Sequence, residues 1–327
     1  MKRLKVVNIS PGLSGAGLIS DFLLNRKDFT NPFNLEAEFR LLHDPGGIHN
    51  LYKGLYENFS NNNSSYFFNE FEKYILNLKN LSSKIKNKKK YLYNSFFFNE
   101  VKKYLKEISL ISYYGLPEYF RIGFDFNDKL KWRILRIRKS SQEVKFCKMR
   151  IPVEKEIFLK KTRIFLNKVL FILSGKKKIN YVIDQGGNFW DPINSTQYFD
   201  NRKIVLVTRD PRSIFSSMKT RKSLAYPGHD IKIFCEWYKN VMKNYNKIKE
   251  SNILLKIKYE NFILNHEKES TKLIKFLNLK NLKKKKFDIS KSKSNIFKAK
   301  NYLTNKELKY IEKKLKKYLQ WPKKIYI

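Results

Sequence analysis

Arginine followed by hydroxyl residues at a strand-to-helix junction is the equipment an oxyanion needs, and Lys203 to Lys219, KIVLVTRDPRSIFSSMK, supplies it. Arg209 brings a permanent charge and a fork of N–H donors. Ser213 and Ser217 follow one helical turn apart, so a helix places both hydroxyls on one face. A second candidate anion element is the turn Ser10 to Gly17, SPGLSGAG, in which Gly12, Gly15 and Gly17 are interleaved with Leu13, Ser14 and Ala16. Such a turn between a strand and a helix points backbone N–H groups at a phosphate. Its glycine spacing is that of a nucleoside-triphosphate loop, but Leu18 and Ile19 stand where that loop needs Lys and then Ser or Thr. It lacks the parts for metal-assisted triphosphate hydrolysis and is either a phosphate cradle or a tight structural turn. A third cluster, HDPGGIH, sets His43, Asp44 and His49 beside Gly46 and Gly47. These titratable groups are candidates for a general base; the plain alternative is a turn in which Asp44 and Pro45 are turn formers.

Each cluster must be held by regular structure. Ile204 to Val207 is a run of four apolar, mostly β-branched residues, the signature of a parallel strand covered on both faces. Asp210 suits an N-cap and Pro211 the first helical position. Arg209 is therefore expected at the carboxyl end of a strand, where open α/β sheets bind ligands. The same logic predicts a strand over Leu4 to Ile9, the glycine turn, and a helix from about Leu18 to Asn25. A strand over Glu38 to Leu42 leads into HDPGGIH, and Leu51, Leu55 and Phe59 suggest a short amphipathic helix. Tyr181 to Ile183 forms a further strand ending in Asp184, Gln185 and Gly186. Beyond the Arg209 segment come a helix from about Asp230 to Lys249, a strand over Ile253 to Ile257, and a helix from about Glu267 to Leu277. Thr304 with Glu307 forms a capping box for a last basic helix. From Asn61 to about Asn180 the chain is rich in Lys, Asn, Tyr and Phe with helical spacing, which predicts a mostly helical insertion over 61–180. The fold class is α/β, with a central parallel sheet flanked by helices, in one domain over 1–327.

Composition narrows the classes. With 327 residues, 42% of them hydrophobic and 15% aromatic, the chain has enough apolar material for a large core. Two cysteines, Cys147 and Cys235, suggest neither a disulfide framework nor a zinc site, and no metal is expected. No apolar run reaches the length of a membrane span and the N-terminus passes straight into strand-like sequence, so a soluble, cytoplasmic protein is expected. Lys and Arg number 69 against 29 Asp and Glu, a formal charge of +40, which invites a nucleic-acid reading. The lysines are spread along the whole chain together with Asn, Ile, Phe and Tyr, whereas recognition domains concentrate charge in one stripe. No nucleic-acid partner is expected, and a basic polyanion-binding protein stays as an alternative.

The glycine turn after the first strand, an Arg with a Ser eight residues on, and KYENF after a later strand together resemble the sulfotransferases that use 3′-phosphoadenosine 5′-phosphosulfate. The resemblance covers about Lys5 to Leu55 and Tyr181 to Leu319 and is sharpest in VTRDPRSIFSSM and IKYENFILNHEKESTKLIKFLNL. It implies a P-loop-like sheet and a donor held by Ser14, Gly15, Ala16 and Gly17 around the 5′-phosphosulfate, with Arg209 and Ser217 on the 3′-phosphate. It also implies basic residues in the tail that close over the nucleotide, in the region occupied here by Ser294, Asn295, Lys298 and Lys300. Glu38, two residues before Arg40, is similar to the Glu-x-Arg whose glutamate is the proposed base in tyrosylprotein-type members. The family usually has Lys or Arg just before the Ser14 position, where this chain has Leu13. The resemblance thus implies transfer of a sulfuryl group to a hydroxyl of a carbohydrate or small-molecule acceptor without a metal. A donor-binding pseudoenzyme and a P-loop kinase are the remaining alternatives.

Overall fold

Four of the apolar runs become parallel strands, Ile204 to Val207 through uninterrupted, mostly β-branched hydrophobicity and the other three through shorter apolar stretches. The computed structural model describes residues 3–32, 41–83, 95–115, 125–127, 129–130, 133–134, 147–175, 179–222, 226–280, 288–296 and 298–320. In chain order its first elements are β1 (Lys5–Ile9), α1 (Gly17–Leu24), β2 (Phe29–Thr30), α2 (Ile48–Tyr52), α3 (Asn61–Ser83) and α4 (Ser95–Glu107). An antiparallel pair β3 (Ser109–Gly115) and β4 (Cys147–Pro152) follows, then α5 (Lys155–Leu173), β5 (Asn180–Asp184) and α6 (Pro192–Ser195). The rest is β6 (Arg202–Thr208), α7 (Pro211–Thr220), α8 (Ile231–Lys247), β7 (Leu254–Lys258), α9 (Tyr259–Leu264) and α10 (His266–Phe276). Three helices close the chain: α11 (Ser290–Ile296), α12 (Lys298–Tyr302) and α13 (Asn305–Lys314).

Two compact units divide the chain. One contains Met1–Phe39 and Ser174–Ile327, the other Arg40–Leu173. The first unit is built on a five-stranded sheet of order β2-β5-β1-β6-β7, in which every pair is parallel. The middle strand β1 is buried along its whole length, as are Ile204 to Thr208 of β6, as expected of a parallel sheet covered on both faces. From β1 the chain moves to one side of the sheet, fills in β5 beside it, then crosses to β6 and β7 on the other. The carboxyl ends of β1 and β6 thus lie side by side where the connections diverge, which is the ligand position of an open α/β sheet. Asp210 caps α7 by accepting the Arg212 N–H, with Pro211 at the helix start, and Thr304 and Glu307 form the capping box of α13.

The second unit packs three long helices with the β3–β4 hairpin. Arg150 of β4 is buried and forms a two-pronged ion pair with Glu72 of α3 at 2.9 and 2.7 Å. The segment expected to be helical therefore also contains sheet, written as SLISYYG, whose side chains between Ser109 and Gly115 are largely exposed. Of the strand expected over Glu38 to Leu42, Glu38 lies outside the described residues, and Leu41 and Leu42 are a buried turn. The helix expected through Phe59 is instead α2 followed by a wider π turn over Lys53–Glu57, with Phe59 exposed. Gly54 is required there, since a Cβ would sit 1.9 Å from the Phe67 ring. Among the described residues no helix is long and apolar enough to cross a membrane.

Candidate active site

Because the sheet is parallel, the segments that leave β5, β1, β6 and β7 emerge on one edge. The turn after β1 is pinned from below by Asn8, whose Nδ2 donates to Ala16 O at 2.8 Å, Ser20 Oγ at 3.0 Å and Asp184 Oδ1 at 2.9 Å. Gln185 fastens its start, accepting from Ser10 N at 3.1 Å and donating to Ser10 Oγ at 2.8 Å. Gly12, Leu13 and Gly15 adopt positive φ of 61°, 48° and 81°. For Leu13 that conformation is strained by about 1 to 2 kcal/mol. At Gly15 a Cβ would stand 2.5 Å from the Tyr259 ring, so the turn packs directly on the residue that follows β7 and opens α9. Ser14 is fully buried and its Oγ donates to Gly12 O at 3.0 Å.

One strand away, Arg209 leaves the end of β6 and its guanidinium lies over the same Tyr259 ring, 4.8 Å from the centroid. The Tyr259 ring is therefore next to both the glycine turn and the arginine. Arg209 Nη1 donates to Ser217 Oγ at 3.4 Å and Nη2 to the Asn295 carbonyl in α11, while Nε has no hydrogen-bond acceptor among the described residues. The Ser213 hydroxyl is occupied differently, donating to Ile296 O at 2.9 Å and so fastening α11 to α7. Of the two serines on that helix face, Ser217 is the one that meets Arg209.

Below the arginine lies a buried ionic layer. Arg212 is fully buried between Asp210, which takes Nε and Nη2 at 2.9 Å each, and Glu312 of α13, which takes Nη1 at 2.7 Å. Glu260 of the KYENF segment is also fully buried and accepts the Asp210 N–H at 3.0 Å. Burial first, and then the charge of Asp210, push its carboxyl up to about 8. Tyr238 of α8 donates to the Arg209 carbonyl at 2.8 Å, and burial raises its phenol far above the ordinary range.

Residues 193–283, which carry β6, α7, α8, β7, α9 and α10, match the model of the sulfotransferase family. The match is confined to that segment. None of the curated proteins matches the chain. Among solved structures it is similar to the sulfotransferase domain from the curacin biosynthetic pathway, at 12% identity over 98% of this chain and 99% of that one, TM-score 0.39. The sulfotransferase domain of the Synechococcus PCC 7002 olefin synthase gives 13% identity, 98% of both chains and a TM-score of 0.40. Retinol dehydratase, in complex with androsterone and inactive cofactor PAP, gives 13% identity over 97% of this chain and 82% of that one, TM-score 0.34. Likenesses of this size leave the fold to rest on the strand order, and the ligand on the side chains.

The matched segment contains Arg209 and Ser217, and the glycine turn lies outside it but follows the neighbouring strand of the same unit. Lys300 is half-buried in α12, which packs against α7; the Lys298 side chain lies outside the described residues. His43, Asp44 and His49 belong to the second unit. There the HDPGGIH turn is closed by Gly47 N to Asp44 O at 2.8 Å and His49 N to Leu42 O at 2.8 Å, Tyr74 Oη donates to Asp44 at 3.3 Å, and His49 is buried. The structure thus gathers the glycine turn, Arg209 and Ser217 on one edge, with Lys300 on the helix behind. Sequence reasoning missed the parts played by Tyr259 and Glu260 although it singled out KYENF, and it placed Asn295 in the tail region without its bond to Arg209. The signal was there: an aromatic and an acid opening a helix at a strand end, opposite an arginine at the neighbouring one.

Proposed function

We propose that the protein transfers a sulfuryl group from 3′-phosphoadenosine 5′-phosphosulfate to a hydroxyl of a carbohydrate or small-molecule acceptor. The observation that carries the reading is Arg209 set 3.4 Å from Ser217 at the end of β6, beside the strand that ends in the glycine turn. A cationic clamp and an amide-rich turn on one edge suit a ligand with two separated phosphate groups. Arg209 and Ser217 would take the 3′-phosphate, and Gly12 to Gly17 the 5′-phosphosulfate through backbone N–H groups. Sulfuryl transfer then asks for in-line placement of the acceptor, charge neutralisation at the bridging and peripheral oxygens, and a base for the hydroxyl proton. Positioning and fixed electrostatics contribute most, and the base roughly 10²- to 10⁴-fold. We assign the base to one of Glu38, His43, Asp44 and His49. We assign the leaving-group charge to Lys298 or Lys300, because Leu13 has none to offer. The reading takes 1–327 as one catalytic domain with 61–180 inserted, working without a metal in the cytoplasm.

Leu13 supports a second reading, a protein that binds the donor and does not turn it over. Both are tested by incubating the protein with sulfur-labelled donor and a panel of hydroxylated sugars and small alcohols. Label on an acceptor, lost in Arg209→Ala, is the expected result. Nucleotide binding with no conversion of donor on any acceptor selects the second reading, and no nucleotide binding at millimolar concentration overturns both.

A further inference from the structure

Glu260 is an acid with half its hydrogen-bonding capacity unused. Oε1 accepts the Asp210 N–H, but stands 3.9 Å from Arg209 Nε, beyond hydrogen-bond reach, and Oε2 is buried with no hydrogen-bond partner among the described residues. An ionised oxygen without a donor in such a place is strongly disfavoured. The groups that face it come from three elements. Arg209 and Asp210 stand at the β6–α7 junction, Tyr238 approaches from α8, and Tyr259 precedes it as the first residue of α9. Arg212 lies behind Asp210 and is already shared between that carboxylate and Glu312. Arg209 is thus the cation set directly against Glu260, and it is also the cation that a phosphate would engage.

We propose that Glu260 is the positioning residue of the phosphate clamp: its carboxyl is neutral while Arg209 holds a phosphate, so that a nucleotide loading onto protein whose Glu260 is ionised draws a proton from solvent into the site. The proposal rests on reading Arg209 as the phosphate arm. The site offers two opposed negative partners for one guanidinium, and they exclude each other. An ionised Glu260 attracts Arg209 toward α9, and an arriving phosphate dianion repels that charge until the carboxyl is protonated. The neutral carboxyl keeps its bond to Asp210 N and leaves the full charge of Arg209 to the ligand. The position of Glu260 in the free protein, about 8, places the exchange in the accessible range.

The test is calorimetric titration of the full-length protein with 3′-phosphoadenosine 5′-phosphate at pH 7, 8 and 9, in buffers of differing ionisation enthalpy. The nucleotide's phosphates, with second ionisations near 6, are already dianionic there. Wild type is expected to take up a fraction of a proton per nucleotide at pH 8, and its affinity to fall by about threefold to tenfold between pH 7 and 9. Glu260→Gln should take up none and change by less than about twofold over that range. Tight binding by wild type with no proton uptake at any of these values overturns the inference and leaves the clamp standing. Absence of binding overturns the clamp and the inference together. The wild-type measurement alone decides the matter if the variant fails to fold.

Discussion

Two buried arginines three residues apart are used in opposite ways. Arg212 spends all three guanidinium nitrogens on Asp210 and Glu312, whereas Arg209 has one long bond to a serine, one to a backbone carbonyl, and a third nitrogen with no hydrogen-bond acceptor among the described residues, Glu260 standing 3.9 Å from it. Burying a cation is tolerable when partners replace its water. Arg212 therefore belongs to the architecture of the β6–α7 junction, tying it to α13. Arg209 is held at the sheet edge by the Tyr259 ring, the Ser217 hydroxyl and the Asn295 carbonyl, with the Glu260 carboxyl 3.9 Å from its Nε, an arrangement that lets an incoming anion supply a direct ionic partner. The difference separates a structural ion pair from a binding group more sharply than burial does, since both side chains are buried.

The contrast can be broken from either side. Arg212→Ala strands Asp210 and Glu312 and should lower stability by about 3 to 5 kcal/mol in a denaturant melt. Arg209→Ala should leave stability within about 1 to 2 kcal/mol of wild type and instead weaken nucleotide binding by about 2 to 4 kcal/mol, roughly 30- to 1,000-fold. Glu260→Gln sharpens the comparison through pH. The Glu260 carboxyl keeps its proton in the folded chain up to about 8, whereas an unfolded glutamate loses it near 4.5. Between those values the folded state binds more protons, so this contribution to stability is present below pH 4.5 and is lost as pH rises toward 8. The variant does not titrate, and its thermal stability relative to wild type should improve by about 1 to 2 kcal/mol from pH 5.5 to 7. Ser217→Ala should have the smallest effect, a loss of about 1 kcal/mol or roughly fivefold in nucleotide affinity with an unchanged melting curve.

Much of the first unit was legible because local chemistry and the final environment agree there. Ile204 to Val207 is apolar on both faces and ends buried on both faces, Asp210 and Pro211 start the helix that they advertise, and Thr304 with Glu307 caps α13. The eight-residue separation between Arg209 and Ser217 also translates into contact, because one residue ends a strand and the other lies two turns into the helix that follows. What stayed hidden depends on contacts between distant segments. Nothing in Asn295 announces that its carbonyl accepts from Arg209, and Glu260 looks like any exposed acid at a helix start until the fold buries it against Asp210. The β3–β4 pair was obscured for another reason: neither the exposed, aromatic β3 nor β4, with Met149 and Arg150 buried side by side, shows a clean alternation of buried and solvated residues.

The central claim is that Arg209 and Ser217 recognise a 3′-phosphate. It is tested most directly by calorimetric comparison of 3′-phosphoadenosine 5′-phosphate with adenosine 5′-phosphate in wild type and Arg209→Ala at one pH and salt concentration. Wild type should prefer the 3′-phosphorylated nucleotide by roughly 30-fold or more, and the variant should bind the two within about threefold of each other. Equal binding of both nucleotides by wild type, or a preference that survives in Arg209→Ala, would contradict the account.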